Sequence, residues 1–261
     1  MYNKKVVSYN SELEDEFSTA KITPRIIDGS YDYMMDKPWQ RAVRKYICRP
    51  LALPMARLYP RLRFGFRIVG RERLAEYGDS AYFIYGNHTQ AIADAFIPSI
   101  LSPQKETLVI VHPSNVSMPV LGRITPYLGA LPLPDDKAAY LNFITAIQRG
   151  IAEKKVIAIY PERHIWPYYT GIRSFSDESF YYPVKYGVPA FCFTNTYRKR
   201  RLGGTPRIIT YIDGPFFPDS SIPYRKRRAE LRNRIFCAMQ ERASLSDVER
   251  IKYVKREEEN D

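Results

Sequence analysis

The 261-residue sequence predicts an α/β protein: a mixed, mostly parallel sheet flanked by helices, with an N-terminal amphipathic helical segment. Three observations predict it. Short apolar runs of strand length alternate with helix-period segments from about residue 80 onward, the pattern that buries a sheet between two helical layers. A basic, aromatic-rich stretch precedes them, with apolar side chains at helical rather than alternating spacing. The hydrophobic fraction of 45% supplies enough material for a core of that size.

Taken in order, residues 1–36 read as a polar arm, with an acidic patch at Glu12, Glu14, Asp15 and Glu16. Residues 37–64 read as basic amphipathic helices. From Trp39 to Arg73 there are ten Lys or Arg against one acid, interleaved with Trp39, Tyr46, Ile47, Leu51, Leu53, Met55, Leu58, Tyr59, Leu62 and Phe64. Pro50, Pro54 and Pro60 should break this stretch into two brief helices, because proline lacks an N–H and clashes with the preceding turn.

Residues 65–245 read as the α/β domain. Strands are expected over Ser80–Tyr85, Thr107–Val111, Val156–Tyr160, Pro189–Phe193 and Arg207–Ile212. Helices are expected over Ala91–Leu101 and over Lys137–Ala152, the latter with an inward stripe of Tyr140, Ile144, Ile147 and Ile151. A last helix, Tyr224–Arg242, should turn Leu231, Ile235 and Met239 inward. Gly203-Gly204 reads as a hairpin turn, and residues 246–261 as a densely charged, frayed tail.

The net charge of +12 attracts either an anionic membrane surface or a nucleic-acid backbone. No RRM, KH or helix-turn-helix pattern accompanies it, so no nucleic-acid partner is expected. Cys48, Cys192 and Cys237 have no Cys-x-x-Cys spacing and read as free, buried thiols in a reducing compartment. With His88, His112 and His164 as the only histidines, no metal site is expected. The chain has no apolar run of 18 residues, so membrane contact should be interfacial, through the basic segment. The predicted location is peripheral, on the cytoplasmic face of the cell membrane.

Ligands of open α/β sheets gather outside the carboxyl ends of the strands. Two such ends carry reactive side chains: Gly86-Asn87-His88-Thr89-Gln90-Ala91-Ile92-Ala93-Asp94, and Tyr160-Pro161-Glu162-Arg163-His164. A histidine at a strand-to-helix turn, followed by a carboxylate, supplies a general base and the group that fixes its tautomer. No Gly-x-Ser-x-Gly elbow offers a protein nucleophile, so the nucleophile would be the acceptor's own hydroxyl. His112, before Pro113, reads as a loop residue, and His164 reads equally as a structural or a substrate-contacting residue. The alternative reading of the same features is a non-catalytic basic protein that binds an anionic surface, membrane lipid or nucleic acid.

Residues 65–215 resemble the glycerolipid (lysophospholipid) acyltransferases of the 1-acyl-glycerol-3-phosphate acyltransferase type, through four blocks in the family's order. Asn87-His88 with Asp94 is similar to the Asn-His…Asp signature. Gly122–Pro134 is similar to the second block, which leads into a strand. Tyr160-Pro161-Glu162, with Arg173 and Phe175 downstream, is similar to the Phe-Pro-Glu block, and Val188-Pro189 to the fourth. The resemblance implies transfer of an acyl group from a thioester donor, acyl-CoA or acyl carrier protein, to a lysolipid hydroxyl, with no cofactor. It assigns His88 as base, Asp94 as its partner, Glu162 as acceptor-positioning group, and Arg173, Arg163 or Arg123 as anion-binding groups beside Asn87. It also implies a membrane-touching N-terminal helix pair.

The chain departs from this pattern in three places. Five residues separate His88 from Asp94 where the family has four. On a regular helix the extra residue turns a side chain by about 100°, so pairing requires the turn after His88 to absorb it. Asp135 and Asp136 stand where the second block's arginine is expected, and should oppose an anionic acceptor. Arg163-His164-Ile165 replaces Gly-Thr-Arg.

Overall fold

The computed structural model describes residues 5–17, 22–201 and 204–256, and all but the side chain of Arg49 among them. In chain order the elements are β1 (Lys5–Tyr9), α1 (Pro38–Val43), α2 (Arg49–Phe64), β2 (Arg67–Val69), α3 (Glu72–Ala75) and β3 (Tyr82–Gly86). They continue with α4 (Ile97–Leu101), β4 (Thr107–Val111), α5 (Leu121–Ile124), β5 (Ala130–Pro132), α6 (Lys137–Ala152) and β6 (Val156–Ile159). The chain closes with α7 (Tyr181–Tyr186), β7 (Ala190–Arg198), β8 (Arg207–Phe216), α8 (Tyr224–Ala243) and β9 (Ile251–Lys255).

Seven strands form the main sheet in the order β2-β8-β7-β3-β6-β4-β5. All its pairs are parallel except β7 with β8, so the sheet is mixed and mostly parallel, as the sequence predicts. Strand β6 inserts between β3 and β4, although three helices and two strands separate it from β3 along the chain. Its register sets Tyr85 opposite Ile159, so both strands end at one edge. Residues 87–94 and 160–164 therefore share that edge.

The central strands are apolar on both faces, as expected when helices cover both sides of a parallel sheet. Phe83, Tyr85, Ile157, Ile159 and Cys192 pack with Phe143 and Ile147 of α6 and with Leu231, Ile235 and Met239 of α8. Tyr82, Ile84, Ala158, Phe191 and Phe193 pack on the opposite face with Phe64 of α2, Leu74 of α3 and Ile97 of α4. The inward residues of α8 are those the periodicity predicts. In α6 the buried set is Ala139, Phe143, Ala146, Ile147 and Gly150, and Tyr140 is exposed. The face is rotated by about one residue because the small Ala139, Ala146 and Gly150 allow close approach, where Leu108 would meet a side chain at position 150.

The prolines do not break the N-terminal segment into two brief helices. A five-residue π turn, Arg44–Cys48, joins α1 directly to α2, which runs 16 residues through Pro54 and Pro60. Burial of Ala56, Pro60 and Phe64 holds it against the sheet despite the lost N–H donors. It ends where Gly65 adopts φ 55° and the amides of Gly65 and Phe66 bond back to Arg61 O and Pro60 O.

Both chain ends also depart from expectation. β1 pairs in parallel with β9, Lys5 opposite Ile251 through Tyr9 opposite Lys255, so the arm and the supposed frayed tail form one two-stranded clasp. Residues 257–261 of that tail, and Gly203 of the expected hairpin, lie outside the described residues. β7 and β8 run on beyond their apolar stretches to nine and ten residues, pairing from Ala190–Phe216 to Arg198–Arg207.

Gly86 closes β3 immediately before the reactive turn, and a side chain there would overlap the Phe193 ring. Gly86→Ala is therefore expected to destabilise the protein by about 1–3 kcal/mol. Urea denaturation would measure this, and an unchanged midpoint would disprove the close-packing assignment.

Candidate active site

The turn after β3 is built around one carboxylate. Asn87 is buried and clips the strand end to β7: its Oδ1 accepts from Asn195 N at 2.8 Å and its Nδ2 donates to Asn195 O at 3.1 Å. Asp94 Oδ2 accepts from His88 Nδ1 at 3.0 Å and from the amides of Thr89 and Gln90, both at 2.8 Å. Asn195 Nδ2 donates to Asp94 Oδ1 at 3.3 Å. The extra residue between histidine and aspartate is absorbed because residues 87–90 are not helical and residues 91–96 form turns. The helix expected from Ala91 starts only at Ile97.

Asp94 is almost completely covered. Burial pushes its carboxyl above the usual range, and the hydrogen bonds from His88, Gln90 and Thr89 oppose that shift by favouring the anion. With Nδ1 facing Asp94, Nε2 is the ring nitrogen left for a reactant. The imidazole is 19% exposed and stacks on Tyr160, ring centroids 4.5 Å apart. The Tyr160 hydroxyl donates to Asp94 O, which ties the end of β6 to this turn. Gln90 Nε2 donates to the Tyr197 hydroxyl at 2.9 Å, which donates to Thr89 Oγ1 at 2.8 Å. The His88 ring thus sits in a hydrogen-bonded polar frame, the arrangement that precise positioning of a side chain requires.

Glu162 and Arg173 meet beside His88, but not as a free acceptor site. Glu162 Oε2 accepts from His88 N at 3.1 Å and from the Arg173 guanidinium at 3.2 Å, and Oε1 accepts from Arg173 N at 3.0 Å. Both side chains are fully covered. Arg173 also donates to His164 O and to Glu12 O, and lies 4.9 Å from the Trp166 ring. Its planar fork is occupied inside the protein. The expectation that Glu162 and Arg173 present themselves to the acceptor is corrected: they form a buried pair that supports the His88 backbone. Burial pushes the Glu162 carboxyl up, and the Arg173 charge pulls it down.

The clasp seals this pair. Trp166 is buried, donates from Nε1 to Asp15 O at 2.8 Å, and packs with Tyr9, Phe17 and Tyr253. Its amide donates to His88 O at 3.1 Å, so both backbone groups of His88 are held. His164 approaches Glu16 at 3.7 Å, and burial lowers its basicity.

Arg163 and Arg123 remain exposed. Arg163 stands at the end of β6 with φ 65°, and its contact to Glu178 at 3.4 Å joins two exposed side chains. Asp135 and Asp136 are directed elsewhere than the sequence suggests. Asp135 accepts from Ile27 N at 2.7 Å, and Asp136 caps α6 by accepting from Ala139 N at 2.7 Å. Their charge serves backbone amides, which removes the objection to an anionic acceptor. His112 caps a loop turn through Ser114 N, as its position suggests.

Of the three cysteines, expected to be buried, only Cys192 is so, with Cys48 partly covered and Cys237 exposed; burial pushes the Cys192 thiol far up, so it is no nucleophile. Among the described residues, no group of three His, Cys, Asp or Glu could hold a metal ion. Asn195, Tyr197 and Trp166 were not legible as site residues, since they lie outside the two strand-end motifs, whereas Tyr160 lies inside the second.

No protein-family model matches the chain, and no curated protein matches it. Among solved structures, the chain is similar to the crystal structure of the 1-acyl-sn-glycerophosphate (LPA) acyltransferase PlsC from Thermotoga maritima. The similarity covers 83% of this chain and 87% of that one, at 18% identity and a TM-score of 0.56. The chain thus shares the fold of that protein, a mostly parallel α/β sheet flanked by helices.

Removing one partner of a buried ion pair leaves an uncompensated charge and costs about 3–5 kcal/mol. Glu162→Ala is expected to lose stability on that scale in urea denaturation, whereas Arg163→Ala should leave the midpoint unchanged. A Glu162 variant as stable as wild type would remove the supporting role.

Proposed function

We propose that this protein is a membrane-surface acyltransferase that moves a fatty acyl group from acyl-CoA or acyl carrier protein to a hydroxyl of a lysophospholipid or related glycerolipid. The observation that carries the reading is the 3.0 Å contact between His88 Nδ1 and the buried Asp94 carboxylate, which leaves Nε2 toward solvent at a strand edge. In the proposed reaction, His88 Nε2 takes the proton of the acceptor hydroxyl as its oxygen attacks the thioester carbonyl. The imidazolium then gives that proton to the departing thiolate. Asp94 holds the tautomer and stabilises the imidazolium, a division of labour known from histidine-based acyl transfer. No acyl-enzyme forms, because no serine or cysteine is bonded to His88.

The acceptor phosphate is assigned to Arg163, the exposed guanidinium following Glu162 at the end of β6, with Arg123 as a second candidate in the β4–β5 crossover. Arg173 supports rather than binds. The similarity to a protein that acts on 1-acyl-sn-glycerophosphate favours a phosphate-bearing acceptor. Among the described residues, no helix is long and apolar enough to cross a membrane. The proposed membrane contact is therefore peripheral, made by the exposed Trp39, Tyr46, Ile47 and Leu51 and the cations around them, at the cytoplasmic face.

The test offers purified protein a panel of lysolipids with each labelled donor and follows diacyl product by mass spectrometry. His88→Ala should lower the rate by about 10²–10⁴, the usual contribution of a general base. Asp94→Asn should also slow turnover strongly without raising either KM. Near-normal transfer by the His88 variant would sink the mechanism.

The same assay separates the two arginines. Arg163→Ala should raise the KM of phosphate-bearing acceptors and leave that of uncharged ones unchanged. An equal effect on both would withdraw the anion assignment.

A further inference from the structure

A groove between α2, β2 and the end of α4 is lined by four arginines. Arg57 and Arg61 lie one helical turn apart on α2, and Arg67 and Arg71 come from β2 and the turn after it. The groove has a volume of about 700 Å³, within the range of small-ligand sites. Phe66, Ile68 and Ile100 give it an apolar floor. It is distinct from the catalytic turn, because β8 and β7 separate β2 from β3 in the sheet. Three strand spacings amount to about 14 Å.

The electrostatics of this groove are unbalanced. No acidic residue lines it, and among the described residues none of the four guanidinium groups forms an ion pair. Arg71 is held in place by donating to Ile100 O at 2.8 Å. Burial and the neighbouring charge of Arg57 both lower its affinity for its proton. Converging cations repel one another, and a bound anion would relieve that repulsion. Guanidinium forks suit a phosphate in particular.

A second feature indicates what carries the phosphate. Leu51, Met55, Leu58 and Leu62 form one stripe on α2, each between 55% and 71% exposed. A stripe at this spacing is normally the buried face of a helix. Here the buried face is another one, carrying Ala56, Pro60 and Phe64. Leu58 and Leu62 follow Arg57 and Arg61 by one residue, so the stripe lies beside the groove, about 100° around the helix. An apolar strip next to a cationic groove with an apolar floor matches an amphiphile: acyl chains along the strip, and a phosphate among the arginines.

We propose that the groove between α2, β2 and the end of α4 is a binding site for the phosphate headgroup of an anionic membrane phospholipid. It acts as a docking site separate from the acceptor site at Arg163. The site rests on the membrane-surface reading above and goes beyond it, replacing a diffuse basic surface with a defined headgroup position.

Vesicle sedimentation tests it, using phosphatidylcholine alone or mixed with phosphatidic acid or phosphatidylglycerol at equal surface charge. Wild type is compared with R57Q/R61Q/R67Q/R71Q and with R225Q/K226Q/R227Q/R228Q, which removes four cations from α8 on the opposite face of the sheet. Circular dichroism melts establish that both variants fold. A cation near an anionic surface contributes about fivefold in affinity. The groove variant is therefore expected to lose at least about tenfold more than the α8 variant. Calorimetry with monomeric dihexanoyl-phosphatidic acid should show binding to wild type, little to the groove variant, and weaker binding of inorganic phosphate.

Equal losses from both variants would overturn the groove site while leaving the membrane reading in place. Absence of wild-type binding to anionic vesicles would overturn both. If inorganic phosphate bound as tightly as the short-chain lipid, the groove would hold a free or nucleotide phosphate, and the lipid assignment would fall.

Discussion

The Asp94 carboxylate organises the reactive edge of this protein. Four donors converge on it: the His88 ring, the amides of Thr89 and Gln90, and the side chain of Asn195. A buried carboxylate is costly unless each lone pair is used, and here the donors come from its own turn and from the neighbouring strand β7. The same bonds that make burial tolerable also fold the turn, replacing the first helical residues by a loop that carries His88 toward solvent. The His88–Asp94 contact and local folding are thus one set of interactions. For that reason the pair forms despite the extra residue between histidine and aspartate.

Behind this turn lies a second buried charge system. Glu162 accepts the His88 amide and the Arg173 guanidinium, and Arg173 in turn reaches the carbonyls of His164 and Glu12. The chain ends enter here. β1 and β9 pair with each other, and Trp166, Tyr9, Phe17 and Tyr253 close over the ion pair. An ion pair excluded from water interacts more strongly than an exposed one but tolerates no missing partner. The clasp therefore works as a cover that keeps Arg173 committed to Glu162. At the end of β6 the guanidinium left exposed is consequently that of Arg163, not the buried Arg173.

The two faces of the molecule divide its remaining tasks. α6, α7 and α8 cover one side of the sheet with apolar contacts. α2 and α4 cover the other, and α2 keeps a second apolar stripe and two of the groove arginines outward.

The sequence by itself determined the features that depend on residues close along the chain. Runs such as Thr107–Val111 and Val156–Tyr160 read as strands, and Leu231, Ile235 and Met239 as an inward stripe, because periodicity is set by backbone geometry. His88 at a strand end, with an aspartate just beyond, was visible for the same reason. Tertiary structure decided what depends on distant partners. Insertion of β6 between β3 and β4 brought Glu162 to His88 across 74 residues, and the clasp brought Glu12 to Arg173 across 161. No local pattern encodes such bonds, since Glu162 and Arg173 read alike whether they face a ligand or each other. Their roles were settled by which side chains the packed sheet left in water and which it enclosed.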